Sequence, residues 1–276
     1  MTSKFGVVGS PIGHSLSPAI HKAVYAALGF DFSYDRSEVS AGDLAEFLTQ
    51  NSFDGVSVTM PLKYEAFSVS DELSKEAKET SVVNTLVIND GKWIGHNTDV
   101  AGFRGIFKQL SEPSIVAVIG SGATARSAVF AISSAFPGSS LSVMGRSISS
   151  VEDLVSRARG FGLDAKAKEL STETLIGSDL VISTVPGNAL GELWEQVSTV
   201  KPSAGSVLID VSYNPWPSPA SLVWGAQSIS GLELLIWQAI EQVKLFAQSQ
   251  GKQVALGDRE LYELMIEAAN KQSEPK

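Results

Sequence analysis

The sequence predicts an α/β chain in two parts, an N-terminal α/β domain followed by a doubly wound parallel one. Three observations predict it. Short apolar runs alternate with helical patterns through all 276 residues, the arrangement that winds strands and helices in turn. A glycine-rich turn, Gly120-Ser121-Gly122-Ala123-Thr124-Ala125, follows a β-branched run at 115–119 and opens a helix, the start of a Rossmann-type unit. A short polar stretch containing proline, Ser111-Glu112-Pro113-Ser114, lies just before it and reads as a boundary. The expected domains are 1–110, completed by C-terminal helices over 232–276, and 111–231.

Strands are expected in the first half at 4–9, 32–38, 55–59, 83–88 and 92–95. Ser17-Pro18 reads as a helix cap followed by proline at the first position. Ile20, Ala23, Val24, Ala27 and Leu28 form that helix's apolar face, and Gly29 closes it. Ser40 with Asp43 resembles a capping box for the next helix. Thr98 is placed as the cap of a helix running to about Leu110. After the boundary, strands are expected at 115–119, 140–144, 179–183 and 206–211, then a long apolar helix over Gly231–Gly251 and another from Asp258 to about Asn270. Coming after the nucleotide-binding units, these two are expected to pack back across the interface.

Composition narrows the function classes. With 43% apolar residues the chain can fill large cores. A net charge of −9 speaks against nucleic acid or an anionic membrane as partner. No cysteine is present, so disulfides, thiolate metal sites and a cysteine nucleophile are excluded. No run approaches the ~20 apolar residues of a membrane span, and a cytoplasmic protein acting on a small molecule is expected. His14, His21 and His96 show no metal-ligand spacing, and His21 reads as structural.

The glycine turn assigns a cofactor class. Gly120 permits the tight turn, Gly122 lets a pyrophosphate approach the backbone, and Ala125 keeps the helix close to its strand. The helix N-terminus offers N–H groups and partial positive charge to phosphate. The next strand ends in Arg146-Ser147, with no acidic residue until Glu152. An acidic residue there would accept from a ribose 2′-hydroxyl and repel a 2′-phosphate, whereas arginine pairs with that phosphate. NADP(H) is therefore expected over NAD.

Catalytic candidates lie upstream. Ser15 and Ser17 would face one side of an extended backbone, suiting a carboxylate or diol. Lys63 follows Ser57-Val58-Thr59-Met60-Pro61-Leu62 just past a strand end, the edge where open α/β sheets bind ligands. Asn84-Thr85 and Asn97-Thr98-Asp99 bring amide and carboxylate groups to further strand ends. Oxidising an alcohol needs a base for the hydroxyl proton while hydride leaves carbon, and the reverse needs the same group as acid. Lys63 is the strongest candidate, with Asp99 to orient it and hold the substrate hydroxyl.

Together these residues resemble the shikimate dehydrogenase family along essentially the whole chain. The matching motifs are Ser15-Leu16-Ser17, Val58–Lys63, Val83-Asn84-Thr85, Asn97-Thr98-Asp99, the glycine loop, Asp210-Val211-Ser212-Tyr213-Asn214-Pro215 and Gly231–Gln238. The resemblance implies a substrate-binding domain beside an NADP-binding Rossmann domain, with a cleft that opens and closes. It implies reversible NADPH-dependent reduction of 3-dehydroshikimate to shikimate, on the route to chorismate and aromatic amino acids, by a monomer or homodimer. It further implies that Ser15 and Ser17 bind the substrate carboxylate, that Thr59, Asn84, Tyr213 and Gln238 line the ring-hydroxyl pocket, and that Lys63 and Asp99 form the catalytic pair. Gly120, Ser121, Gly122, Ala123, Thr124, Arg146, Ser147, Val211 and Gly231 match cofactor positions. The chain departs from the family pattern at Ala123-Thr124, where Gly-Ala is usual, and at Gly145-Arg146-Ser147, where Asn-Arg-Thr is followed by another basic residue. Leu234 replaces a usual methionine. A quinate/shikimate dehydrogenase with relaxed cofactor use, and a non-catalytic NADP-sensing protein, are the competing readings; Ser17, where quinate-active relatives often carry threonine, argues against the first.

Overall fold

A computed structural model of the chain describes residues 2–186 and 189–273. By contact density it divides into two compact units, Met1–Gly102 with Leu235–Lys276, and Phe103–Leu234.

The first unit begins with β1 (Ser3–Gly9), α1 (Ser17–Leu28), β2 (Phe32–Glu38), α2 (Leu44–Gln50), β3 (Gly55–Val58) and α3 (Lys63–Val69). β4 (Glu72–Leu73), α4 (Lys75–Thr80), β5 (Thr85–Asn89), β6 (Lys92–His96) and α5 (Thr98–Phe107) follow, the last of which runs from the first unit into the second at Phe103. The sheet runs β2-β1-β3-β5-β6-β4. β1 is parallel to β2 and β3, whereas β5 is antiparallel to both neighbours. The register sets Ser57 opposite Thr85 and Thr85 opposite His96. The ends of β3, β5 and β6 thus come level, and the polar residues just beyond them gather at one edge.

Helix entry in this unit differs from the expected pattern at three places. Leu16, not Ser17, is the N-cap of α1, and no side chain caps it. Leu16 is in the α region, and Ser15 Oγ accepts from the Ser17 N–H at 3.3 Å. The two serines therefore sit in a turn rather than on extended chain. The Ser40–Asp43 capping box does not form, because α2 begins at Leu44 with Asp43 itself as N-cap, leaving Ser40 outside the helix entry. Glu65 of α3 instead accepts from the N–H groups of Gly42 at 2.9 Å and Leu44 at 2.8 Å, a cap supplied from distant sequence. Thr98 is the first residue of α5 rather than its cap, and the Asn84 carboxamide oxygen accepts its N–H at 2.7 Å. α5 stops at Phe107, short of Leu110, where the last bonds tighten to Ile106–Gln109 and Phe107–Leu110 pairs. Gly29 does close α1, at φ 65°.

The second unit contains β7 (Ile115–Ile119), α6 (Ala123–Ala135), β8 (Ser140–Met144), α7 (Ile148–Gly160), β9 (Asp164–Ala167) and α8 (Thr172–Ile176). It continues through β10 (Leu180–Ser183), α9 (Gly191–Val200), β11 (Val207–Asp210), α10 (Pro219–Trp224) and β12 (Ser228–Ser230). Its sheet is parallel throughout, in the order β12-β11-β10-β7-β8-β9. The order reverses between β7 and β10, the switch point at which such sheets bind nucleotides beyond their carboxyl ends. β9 and β12 escaped the pattern reading because Asp164-Ala-Lys-Ala167 and Ser228-Ile-Ser230 lack apolar runs.

Two helices close the chain, α11 (Gly231–Ser249) and α12 (Asp258–Ser273). α12 packs on α1. On α11, Phe246 stacks on Phe5 of β1 with ring centroids 4.5 Å apart, beside buried Tyr25 and Tyr34. The opposite face of that sheet buries Val56, Val58, Leu62, Val83 and Leu86. Packing on both faces explains why these strands read as apolar runs. Among the described residues, no helix is long and apolar enough to cross a membrane.

Candidate active site

Lys63 and Asp99 meet at the sheet edge of the first unit. Lys63 opens α3 after the Thr59–Leu62 turn, and Asp99 lies in the first turn of α5, where the helix dipole favours a carboxylate. The Lys63 ammonium donates to Asp99 Oδ2 at 2.5 Å, with the side chains 14% and 7% exposed. Such a contact, drawn out of water, is far stronger than a surface pair.

Asn84 holds the carboxylate from the other side. Its Nδ2 donates to Asp99 Oδ1 at 2.8 Å, while its Oδ1 accepts from the Thr98 N–H at 2.7 Å and the Thr85 hydroxyl at 3.0 Å. A backbone N–H can only donate, so the atom facing Thr98 is the oxygen and the nitrogen must face Asp99. Gln238 of α11 accepts from the Thr98 hydroxyl at 3.1 Å and from Asn84 at 3.3 Å. Lys63, Asn84, Asp99 and Gln238, named separately from sequence, are thus one cluster. Thr98 and Thr85 belong to it too; the sequence places Thr98 as a helix cap and both threonines within strand-end motifs, without a role in the site.

The remaining candidates of this unit have other hydrogen-bond and packing partners. Ser15 and Ser17 are buried at the start of α1, and Ser17 hydrogen-bonds the buried Tyr34 hydroxyl. Thr59 is half-buried and packs its methyl where a side chain on Gly9 would stand. Asn97 donates to Thr80 at 2.8 Å and ties β6 to α4. His21 is fully buried, stacked on Tyr34 at 4.0 Å, with Nδ1 2.9 Å from the Ser17 carbonyl. Burial pushes its pKa down to about 4, in keeping with a structural residue. Burial also lowers the His96 pKa.

In the second unit the glycine loop is built for close approach. Gly120 has φ 110°, a conformation that strains any other residue, and a Cβ there would stand 2.2 Å from Thr184 Oγ1. A Cβ on Gly122 would meet nothing within 4 Å, so the space above the loop is open. Gly122 is the N-cap of α6 and, having no side chain, makes no side-chain cap bond to the first N–H groups. Ser121, Ala123 and Thr124 are partly exposed around this opening, and Ala125 is fully buried against the sheet. These features fit a dinucleotide pyrophosphate.

Beyond β8, Arg146 and Ser147 are exposed, and Arg146 holds no ion pair among the described residues. Asp153 of α7 is engaged by Arg126 at 2.9 Å and Arg157 at 3.0 Å. Ser147 caps α7, its Oγ accepting from the Ser150 N–H at 3.4 Å. Gly145 is crowded, since a Cβ there would lie 3.1 Å from Val151. After β11, buried Asp210 accepts from the Ser212 N–H at 3.0 Å and the Ser218 hydroxyl at 2.5 Å, fixing the loop that carries Val211 and Tyr213. Gly231 presses on that loop: a Cβ would lie 2.0 Å from the Val211 carbonyl oxygen.

Comparison with known proteins finds similarity over most of the chain. Residues 7–86 match the family model described as the shikimate dehydrogenase substrate binding domain. A shikimate dehydrogenase (NADP(+)) of Desulfitobacterium hafniense is 32% identical over 251 residues, covering 87% of this chain and 90% of that protein. The crystal structure of Mycobacterium tuberculosis shikimate dehydrogenase superposes with a TM-score of 0.84 at 31% identity, covering 98% of this chain and 100% of the other. That of a shikimate 5-dehydrogenase from Thermus thermophilus in complex with NADP(H) and shikimate gives 0.77 at 25% identity over 96% and 99%.

Proposed function

The chain belongs to the shikimate dehydrogenase family, and on that premise we propose that it catalyses the reversible NADPH-dependent reduction of 3-dehydroshikimate to shikimate through Lys63 and Asp99. The observation that carries this reading is the buried Lys63–Asp99–Asn84 cluster, an acid/base pair at a strand-end edge held in one geometry.

When bound, NADPH supplies the hydride. Gly120, Ser121, Gly122, Ala123 and Thr124 hold its pyrophosphate, Arg146 and Ser147 its 2′-phosphate, and Val211 and Gly231 border it. In the reductive direction the Lys63 ammonium gives a proton to the oxygen that becomes the new hydroxyl. In the oxidative direction the neutral amine takes that proton back. Asp99 keeps the Lys63 nitrogen aimed at one point and has lone pairs left for a substrate hydroxyl. Asn84 and Gln238 present amide groups to the ring hydroxyls, Thr59 and Tyr213 complete that lining, and Ser15 and Ser17 hold the carboxylate. Residues 1–110 with 232–276 serve as the substrate-binding domain and 111–231 as the cofactor domain. The enzyme works in the cytoplasm as a monomer or homodimer.

A spectrophotometric assay crossing shikimate and quinate with NADP+ and NAD+ tests the reading. The fastest turnover is expected with shikimate and NADP+. No turnover in any of the combinations would overturn it in favour of a non-catalytic nucleotide sensor, and comparable quinate turnover would make the enzyme a quinate/shikimate dehydrogenase.

A further inference from the structure

Behind the cluster lies a buried chain of side chains that the reaction itself does not use. Gln242, one turn beyond Gln238 on α11, is 1% exposed. Its Nε2 donates to the Thr85 hydroxyl at 2.9 Å and lies 3.4 Å from the Asn84 carbonyl oxygen. Its Oε1 accepts from the Ser57 hydroxyl at 2.8 Å, and Ser57 accepts from Tyr34 at 2.6 Å.

Counting protons fixes the direction of every link. The Asn84 carbonyl can only accept, so the Gln242 nitrogen is the atom that faces it and the oxygen faces Ser57. Ser57 has one hydroxyl proton and gives it to Gln242; Tyr34 must then donate to Ser57. Thr85, having accepted from Gln242, is left with its single proton for Asn84 Oδ1. From there Asn84 Nδ2 donates to Asp99. Each bond polarises the next in the same sense, and the chain ends on the carboxylate that holds Lys63.

We propose that Gln242 is a positioning residue for the Lys63–Asp99 pair, acting through Thr85 to lock the rotamer and direction of the Asn84 carboxamide. The inference rests on the reading of that pair as catalytic. Gln242 touches neither Lys63 nor Asp99, and its carboxamide is too deeply buried to meet a substrate. Without it the Thr85 hydroxyl is released to rotate, and Asn84 Oδ1 loses one of the donors that hold its amide in register with Asp99.

The test is a double-mutant cycle in the full-length enzyme. Gln242→Met preserves side-chain length and removes both hydrogen-bonding groups, and Thr85→Val preserves shape and removes the hydroxyl. Each is expected to lower kcat about five- to tenfold, the rate equivalent of one neutral hydrogen bond, with KM for NADP+ unchanged. Because they act through one link, the double variant should lose little more than either single one. Independent, multiplicative losses, or wild-type kcat in Gln242→Met while Lys63→Ala is inactive, would overturn the inference. Ser57→Ala gives the same reading should Gln242→Met not fold: a smaller loss of kcat is expected, absent in the Thr85→Val background, and its persistence there would count against the link. Near-wild-type turnover in Lys63→Ala would instead remove the catalytic pair and this role with it.

Discussion

The two candidate binding regions are made of different materials. Around Lys63 nearly every polar side chain is buried and already bonded to another, so the site exists before a substrate arrives. Around Gly120–Thr124 the binding groups are backbone N–H donors at an uncapped helix end beside open space, with Arg146 exposed beyond them. The difference follows from what each must do. A proton transfer depends on angstrom-level placement of a side chain and rewards rigidity. A pyrophosphate is recognised by charge and by backbone that allows close approach, for which absent side chains serve best.

The largest expected effect breaks the preassembled side. Lys63→Ala should lower kcat by about two or more orders of magnitude, the loss expected for a general acid/base, while shikimate affinity by titration changes little; turnover near wild type would show that the cluster is only structural. Next, Gly231→Ala sets a methyl 2.0 Å from the Val211 carbonyl oxygen, and the backbone must yield. A stability loss of about 1–3 kcal/mol in urea denaturation is expected. Arg146→Ala sharpens the contrast from the open side. It should raise KM for NADP+ about tenfold, the order of one charge-assisted phosphate contact, and leave KM for NAD+ almost unmoved. Equal shifts would mean that Arg146 does not read the 2′-phosphate.

The effect felt only at acid pH concerns stability. His21 carries a pKa of about 4 in the fold, below its ordinary 6.5. The unfolded chain therefore takes up the proton first as pH falls. The stabilisation from a neutral buried His21 is complete above pH 6.5 and is lost as pH drops toward 4, by up to about 3 kcal/mol. His21→Phe should flatten that part of the stability–pH curve, measured by urea midpoints between pH 7 and 4.

Sequence made the strand ends legible, because apolar runs bounded by polar motifs mark both the sheets and the edge where ligands bind. The βα turn at Gly120–Ala125 was legible for the same reason: its residue types are dictated by backbone geometry that local sequence must satisfy. What stayed hidden depended on distant partners. Glu65 caps α2 from another helix, and nothing in residues 40–44 announces it. The extended geometry read into Ser15–Ser17 failed because the α1 entry turn curls the chain at Leu16. Ser147, matched from sequence to a cofactor position, is the N-cap of α7. Gln238 and Gln242, four apart on an apolar helix, were the one local trace of the buried hydrogen-bonded chain, and only the register of Ser57 against Thr85 gives the second of them a meaning.

That chain also has a consequence for how protons would travel in the proposed reaction. Two of its links, Gln242 and Asn84, are carboxamides, which donate hydrogen bonds but do not pass protons on. The interior behind Asp99 is therefore an electrical insulator that polarises without conducting. If Lys63 exchanges protons as proposed, they come and go on the side away from that chain, through the 14% of its side chain that remains accessible. On the proposed mechanism the lysine is recharged from solvent between turnovers along the side where a ligand would enter.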